Sequence, residues 1–169
     1  LKHSTAITVT SVAVGDGTAG SCSDAALGAA WYKVEKGWAS TIEFQCGPPG
    51  SSAVIPVTTH RVIDRDLTLR VDTKKYASVT LDGQGRHRIF VFGTTRWLGS
   101  HGRIIALNQR FTIEGVRFAN GRGESGGVFQ GYGSGGCLAF GFGAVVTIKH
   151  SSFESCSAAH NGGAVDAEP

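Results

Sequence analysis

The segment FTIEGVRFANGRGESGGVF (residues 111–129) is repeated by VTIKHSSFESCSAAHNGGAV (residues 146–165), and this repeat is the clearest indication of the fold. Thr112 of the first copy recurs as Thr147 of the second, 35 residues later, and the phenylalanine and paired-glycine positions stay in step. A nearly constant offset of this kind is typical of stacked repeats, in which each unit buries its apolar face against its neighbours. The repeat therefore predicts a stacked-repeat fold.

Composition narrows the class of protein. The chain has 169 residues, 41% of them hydrophobic, which suits one domain with a continuous core. The 25 glycines and only 17% charged residues favour short strands and tight turns over a helical bundle. The net charge of +3 is too small to indicate a nucleic-acid partner, and no apolar run approaches the length of about 18 residues that predicts a membrane span.

The first fifty residues differ in pattern from the rest. Residues 6–14 alternate apolar and polar side chains, which predicts a strand. Apolar residues then recur at helical spacing, and these are Leu27, Ala30, Trp31, Val34 and Trp38. Gly37 is a plausible C-cap. We predict one amphipathic helix that covers the end of the strand stack, with Trp31 and Trp38 packed on its first coil rather than forming a ligand platform.

Beyond the break at residues 47–50, short strands arrive in threes. The predicted triplets are residues 53–58, 67–71 and 79–81, then 89–92, 104–107 and 111–113, then 127–130, 138–140 and 145–148. The gaps leave no room for crossover helices, so we predict an all-β chain wound as a right-handed parallel β-helix with three sheets. Residues 1–50 then form the N-terminal strand, capping helix and first coil, and residues 51–169 form the coils. A β-sandwich is the alternative.

The four cysteines are even in number and match no zinc-binding spacing. We predict two disulfides between neighbouring segments, Cys22 with Cys46 and Cys137 with Cys156, and hence an extracellular location. Four buried free thiols are the alternative. The sequence predicts neither a metal site nor a cofactor.

The predicted stacking allows side chains to be assigned to columns. Aligning VTLD, FTIE and VTIK places Thr80, Thr112 and Thr147 in an outward ladder, with Asp82 and Glu114 in the next column. Neighbouring strands lie about 4.8 Å apart, so these two carboxylates would be adjacent. Adjacent carboxylates suit a retaining glycosidase or the start of a calcium site, although a solvated surface ladder needs no function. They are the weak catalytic candidates.

The tetrads GGVF (residues 126–129), GGAV (162–165), FANG (118–121) and FESC (153–156) resemble the repeats of chlamydial polymorphic outer-membrane proteins, whose pattern is GGA-aliphatic and Phe-x-x-Asn. The N-terminal CSDAALGAAW and TIEFQCG resemble the first segment of secreted pectin-lyase-like β-helix proteins. Neither Phe tetrad ends in Asn, and only one glycine tetrad keeps the Ala. The resemblance implies a right-handed β-helix on or outside the cell surface, often as adhesin or coat, and implies no particular activity.

A second candidate surface is basic and aromatic. Basic residues concentrate in the middle of the chain with two aromatic rings nearby, and the weak ligand-binding candidates among them are Arg88, Trp97, His101, Arg103 and Tyr132. Such a mixture binds acidic glycans through charge and ring stacking. The alternative is that these residues only keep the coil surface soluble.

The last repeat, residues 162–165, opens a coil that stops at Pro169. Its open end predicts either a longer parent chain or pairing with other chains or copies of itself. We therefore expect a secreted structural or adhesive module of a surface layer, appendage or coat. The alternative is a carbohydrate-active lyase or hydrolase, or an acidic-glycan-binding module.

Overall fold

The computed structural model of the chain describes residues 10–93, 96–98, 103–105, 108–123, 135–141, 143–159 and 162–167. Within these residues the chain is mostly β, with parallel sheets and one short helix, α1 (Asp24–Glu35). The strands of the first half are β1 Ser11–Val14, β2 Thr41–Phe44, β3 Ser52–Pro56, β4 Arg61–Ile63, β5 Leu67–Val71, β6 Ser78–Asp82, β7 Phe90–Phe92 and β8 Arg96–Leu98. Those of the second half are β9 Arg103–Ile105, β10 Arg110–Glu114, β11 Val116–Ala119, β12 Arg122–Gly123, β13 Leu138–Phe140, β14 Val145–Lys149, β15 Ser152–Glu154, β16 Ser157–Ala158 and β17 Val165–Ala167.

The chain visits three parallel sheets in a fixed order. The first sheet has the order β1-β2-β5-β10-β14, the second β3-β6-β11-β15 and the third β4-β7-β13-β17. From β2 onward, consecutive strands of the three sheets therefore lie in different sheets, and the chain returns to the first sheet after each circuit. A short parallel pair, β12 with β16, stands between the second and third sheets in sequence. The expected all-β architecture with parallel strands is confirmed.

The register between circuits follows the sequence repeat. Thr112 pairs with Thr147 in the first sheet, and Phe118 pairs with Phe153 in the second. The threonine ladder continues through Thr68 to Thr41. Side chains that point the same way from neighbouring strands thus form columns at right angles to the chain.

The predicted strand triplets are partly wrong. The sequence pattern misses β4, β11 and β15. It also aligns β6 with β10 and β14 as one sheet, although β6 belongs to the second sheet and β10 and β14 belong to the first. Residues 104–107 were expected inside a triplet, whereas β9 pairs antiparallel with β8 outside the three parallel sheets.

The expected strand at residues 127–130 lies outside the described residues, as do residues 6–9 of the first expected strand. Thr80 does not join the threonine ladder, because it pairs with Val54 and Arg117 in the second sheet.

Apolar side chains from all three sheets meet in one core. Every second residue of the central strands is buried, as in β5, where Leu67, Leu69 and Val71 are at most 2% exposed. Phenylalanine fills the space between the third sheet and the other two, and Phe90 and Phe92 are fully buried. This arrangement leaves the alternate side chains on the outside, where any site must lie.

Helix α1 begins with an N-cap, since the Ser23 hydroxyl accepts a hydrogen bond from the Ala26 amide at 3.1 Å. Its buried face packs against β1, β2 and β4. Trp31 stacks on Phe90 at 4.6 Å between ring centres and donates its indole N–H to the Val62 carbonyl at 2.9 Å. The predicted helix is therefore confirmed, as is the burial of Leu27, Ala30, Trp31 and Val34 on its predicted face. An ion pair between Asp24 and Arg61 joins the helix to β4.

Trp38 does not pack on the core as expected, for it is 62% exposed. Gly37 adopts a φ of +75°, and its amide and that of Trp38 bond the carbonyls of Val34 and Lys33. This is a Schellman motif, in which the residue after the glycine contacts the last turn of the helix. The Trp38 ring accordingly lies edge-on against Tyr32, 5.9 Å between centres, on the solvent side.

Both predicted disulfides are confirmed. Cys22 bonds Cys46 and Cys137 bonds Cys156, and no free cysteine is present. The first links the turn after β1 to the end of β2. The second joins the segment before β13 to the segment after β15, so each crosslink connects neighbouring parts of the stack.

Candidate functional site

Asp82 and Glu114, the weak catalytic candidates, are not neighbours in one column. Asp82 ends β6 in the second sheet, opposite Ala119 and Pro56. Its carboxylate accepts hydrogen bonds from the Gln84 amide at 2.8 Å and from the Asn120 side chain at 3.0 Å. The adjacency predicted for the two carboxylates is therefore wrong, and the Asp82 carboxylate stabilises a turn.

Glu114 instead belongs to a column of alternating charge in the first sheet. The register places Glu43, Arg70, Glu114 and Lys149 on successive strands β2, β5, β10 and β14. Arg70 forms an ion pair with Glu43. Opposite charges on neighbouring strands stabilise a sheet by a few tenths of a kcal/mol, roughly 0.2–1. The column therefore stabilises the sheet, and its charged side chains also lie where they can contact a ligand.

A cavity of about 530 Å³ opens beside this column, and we call it the Glu43 groove. It lies where β2, β5 and β10 end and the turn after β5 crosses toward the second sheet. Its lining residues are Glu43, Phe44, Gln45, Arg70, Val71, Asp72, Thr73, Lys74, Lys75, Tyr76 and Glu114. Of these residues the sequence predicts only Glu114 as a site residue, because the others come together through the register between strands.

The predicted basic and aromatic surface is only partly described. Arg88 is 6% exposed, and its guanidinium donates to the Gly135 carbonyl at 2.7 Å, so it supports the backbone rather than facing solvent. Trp97 and Arg103 lie in the antiparallel strands β8 and β9. His101 and Tyr132 lie outside the described residues. A shared binding surface of these five residues stays a prediction.

Two other arginines from the same basic region do line a cavity, of about 760 Å³, which we call the arginine groove. Arg86 and Arg122 face it together with Ser157, and the remaining lining residues are Gly85, Gly123, Ala158 and Ala159. None of these described lining residues carries a carboxylate. The groove therefore offers positive charge and a hydroxyl group to an anionic ligand.

Other candidate chemistry is sparse in the described part of the chain. Hydrogen bonds from the Thr18 hydroxyl and amide lower the pKa of the Asp16 carboxyl, which stabilises an exposed turn.

Among the described residues no group of three or more His, Cys, Asp and Glu is placed to hold a metal ion. No helix in this part of the chain is long and apolar enough to cross a membrane.

The last circuit carries an apolar edge. Within the described residues β14, β15 and β17 are each paired on one side. Ile148 pairs with the fully buried Ile113 and is itself 37% exposed, since β10 is the only described strand that pairs with β14. Phe153 stacks on Phe118 at 5.2 Å and is only partly buried. We call β14, β15 and β17 the outer edge.

Comparison with protein-family models, with curated proteins and with solved structures finds no match for this chain.

Proposed function

We propose that this chain is a right-handed parallel β-helix that serves as an extracellular structural or adhesive module of a surface layer, appendage or coat. The cyclic order of the three parallel sheets supports the β-helix, since stacked circuits with short turns produce that order. The two disulfides are compatible with an extracellular location, where such bonds persist.

The observation that carries the proposal is the outer edge. An edge of a sheet with exposed apolar side chains is a template for pairing with another chain. Helix α1 packs against β1 and β4 at the opposite end of the stack, so the outer edge is the more open of the two ends. Two copies meet through the same edge on each, which gives an isologous dimer. This dimer is the proposed building unit of the module.

We expect the chain to dimerise in a concentration-dependent manner and Ile148→Lys to weaken the association at least about tenfold, because it places a charge in the apolar contact. Sedimentation-velocity runs across a dilution series measure this. Val54→Lys is the matched control, since Val54 is 61% exposed on β3, away from the outer edge. Circular dichroism checks that both variants fold. A chain that stays monomeric up to about 1 mM, or an equal effect of both substitutions, would refute the dimer.

The second candidate function is binding of an acidic glycan, and the arginine groove favours it. Two guanidinium groups beside Ser157 suit a sugar carboxylate, because arginine binds carboxylates through two parallel hydrogen bonds. The lyase or hydrolase alternative has weaker support, since its carboxylates Asp82 and Glu114 lie in different sheets.

Hexagalacturonate is expected to bind the arginine groove, and Arg122→Gln is expected to weaken binding about tenfold. Isothermal titration at low and high salt measures the affinity, which should fall with salt because the contact is ionic and exposed. Arg117→Gln is the control, since Arg117 is exposed on β11 and does not line the groove. Equal binding by the two variants would argue against this site.

A further inference from the structure

The first strand of the outer edge, β14, bonds its inner neighbour through every second residue. The Val145 amide donates to the carbonyl just before β10 at 2.8 Å, and the Lys149 carbonyl accepts from the amide just after β10 at 3.0 Å. In a parallel pair the residues between them direct their backbone groups to the other side. The amides and carbonyls of Val146 and Ile148 therefore point away from β10, toward the open side of the edge.

The other two strands of the outer edge follow the same rule. In β15 the Glu154 carbonyl accepts from the amide just after β11 at 3.0 Å, so the backbone groups of Phe153 point away from β11. In β17 the preceding carbonyl, that of Ala164, accepts from the first amide of β13 at 3.1 Å, so the groups of Val165 point away from β13. The side chains of these outward-bonding residues are apolar and continue the columns of the core.

The order of the three strands selects one two-fold arrangement. In the proposed β-helix each circuit climbs by one strand spacing, about 4.8 Å, so β14, β15 and β17 lie at successive heights. A two-fold axis at right angles to the stack reverses the strand directions and brings the lowest strand of one copy onto the highest strand of the other. The middle strand, β15, then meets β15 of the second copy, and β14 meets β17. The gaps between the copies are equal only in this arrangement.

We infer that two copies join their outer edges through antiparallel pairs of β15 with β15 and of β14 with β17. The inference rests on the dimer proposed above and specifies its register. Phe153 lies opposite Phe153 of the second copy, and Ile148 lies opposite Val165. In this register each of these pairs exchanges two backbone hydrogen bonds, because the groups that point away from the inner strands face one another. The apolar columns then run without a break from one copy into the other.

The exposed side chains of this register are also complementary. Thr147 lies opposite Asp166 of the second copy, so a hydroxyl can donate to a carboxylate. Ser152 lies opposite Glu154 of the second copy in the same way. Lys149 is diagonal to Asp166 across the pair, where opposite charges attract. A shift of two residues along β15 would bring the two Glu154 carboxylates opposite each other, and like charges in that position destabilise a strand pair.

Cysteine crosslinking with the variants Thr147→Cys and Asp166→Cys tests the register. The four native cysteines form two disulfides, so each variant carries one free thiol. Opposite residues of an antiparallel pair have Cα atoms about 4.5–5.5 Å apart, which suits a disulfide. We expect an equimolar mixture, oxidised with copper phenanthroline, to crosslink up to about half of the chains, since mixed pairs make up that share of freely exchanging dimers. Neither variant alone should crosslink, because β14 and β17 lie in different sheets.

Val54→Cys mixed with Thr147→Cys is the control, since Val54 is 61% exposed on β3, away from the outer edge. Ser152→Cys mixed with Glu154→Cys repeats the test at β15 if a variant of the first pair does not fold, which circular dichroism shows. Sedimentation velocity on the same samples reports whether the dimer forms.

Three outcomes would overturn the register while leaving the dimer in place. The variants could dimerise without crosslinking in the mixture, Thr147→Cys could crosslink alone, as a pair of β14 with β14 requires, or the Val54→Cys control could crosslink equally. A chain that stays monomeric up to about 1 mM would instead overturn the register and the dimer together.

Discussion

Replacing Phe92 with alanine is expected to lower the free energy of unfolding by about 3–5 kcal/mol, the usual cost of removing a buried phenylalanine ring. Phe92 is fully buried, and its ring contacts four others. The ring centres lie 4.8 Å away for Phe111, 5.0 Å for Phe140, 5.6 Å for Phe90 and 6.3 Å for Trp31. These contacts join the first sheet, the third sheet and helix α1, so the cavity would weaken the whole stack.

Urea unfolding followed by circular dichroism measures this loss. Val54→Ala is the control, because Val54 is 61% exposed and its truncation should change stability by no more than about 0.5 kcal/mol. A loss below about 1 kcal/mol for Phe92→Ala would contradict the close packing around this ring.

Removing the Cys137–Cys156 disulfide through a double alanine variant is expected to destabilise the chain by about 3 kcal/mol. The two cysteines are 19 residues apart, and a crosslink that closes a loop of this size restricts the unfolded chain by about that amount. The native segment is also well tied to the third sheet, since the Cys137 carbonyl accepts from the Ile89 and Phe90 amides at 3.0 and 3.2 Å.

Thermal and urea unfolding of the double variant give the measured loss. Cys22–Cys46 spans a similar separation of 24 residues, so its double alanine variant should lose a similar amount. Full reduction of the unmodified chain should then cost more than either variant alone. If neither double variant differs from the unmodified chain, the crosslinks add nothing to its stability.

Local features predicted the parts of the fold that depend on nearby residues. The helical spacing of Leu27, Ala30, Trp31 and Val34 correctly predicted one buried helix face, because neighbours three and four apart share a face. The 35-residue repeat correctly predicted that Thr112 pairs with Thr147. The prediction succeeds because the circuit from β10 to β14 has the same length as the repeat. Both disulfides followed from cysteines that lie on neighbouring segments.

Errors arose where circuits differ in length. Thr68 and Thr112 also pair, but 44 residues separate them, and this interval contains the antiparallel pair β8 and β9. The sequence VTLD therefore looked equivalent to FTIE, although it forms β6 in the second sheet. Trp38 was assigned to the core by its helical spacing, whereas the positive φ of Gly37 turns the chain away before it.

The order of residues along the chain is enough to predict the local elements: an amphipathic helix, short strands with alternate buried side chains, glycine-rich turns and repeating columns. Which charged residues meet depends on how the strands pair, and this pairing places Glu114 beside Arg70 and Arg70 beside Glu43, with Asp82 in another sheet. The physical reason is that the alternation of buried and exposed side chains is a property of each strand. The neighbours of a strand depend instead on the number of residues in each circuit, and this number varies.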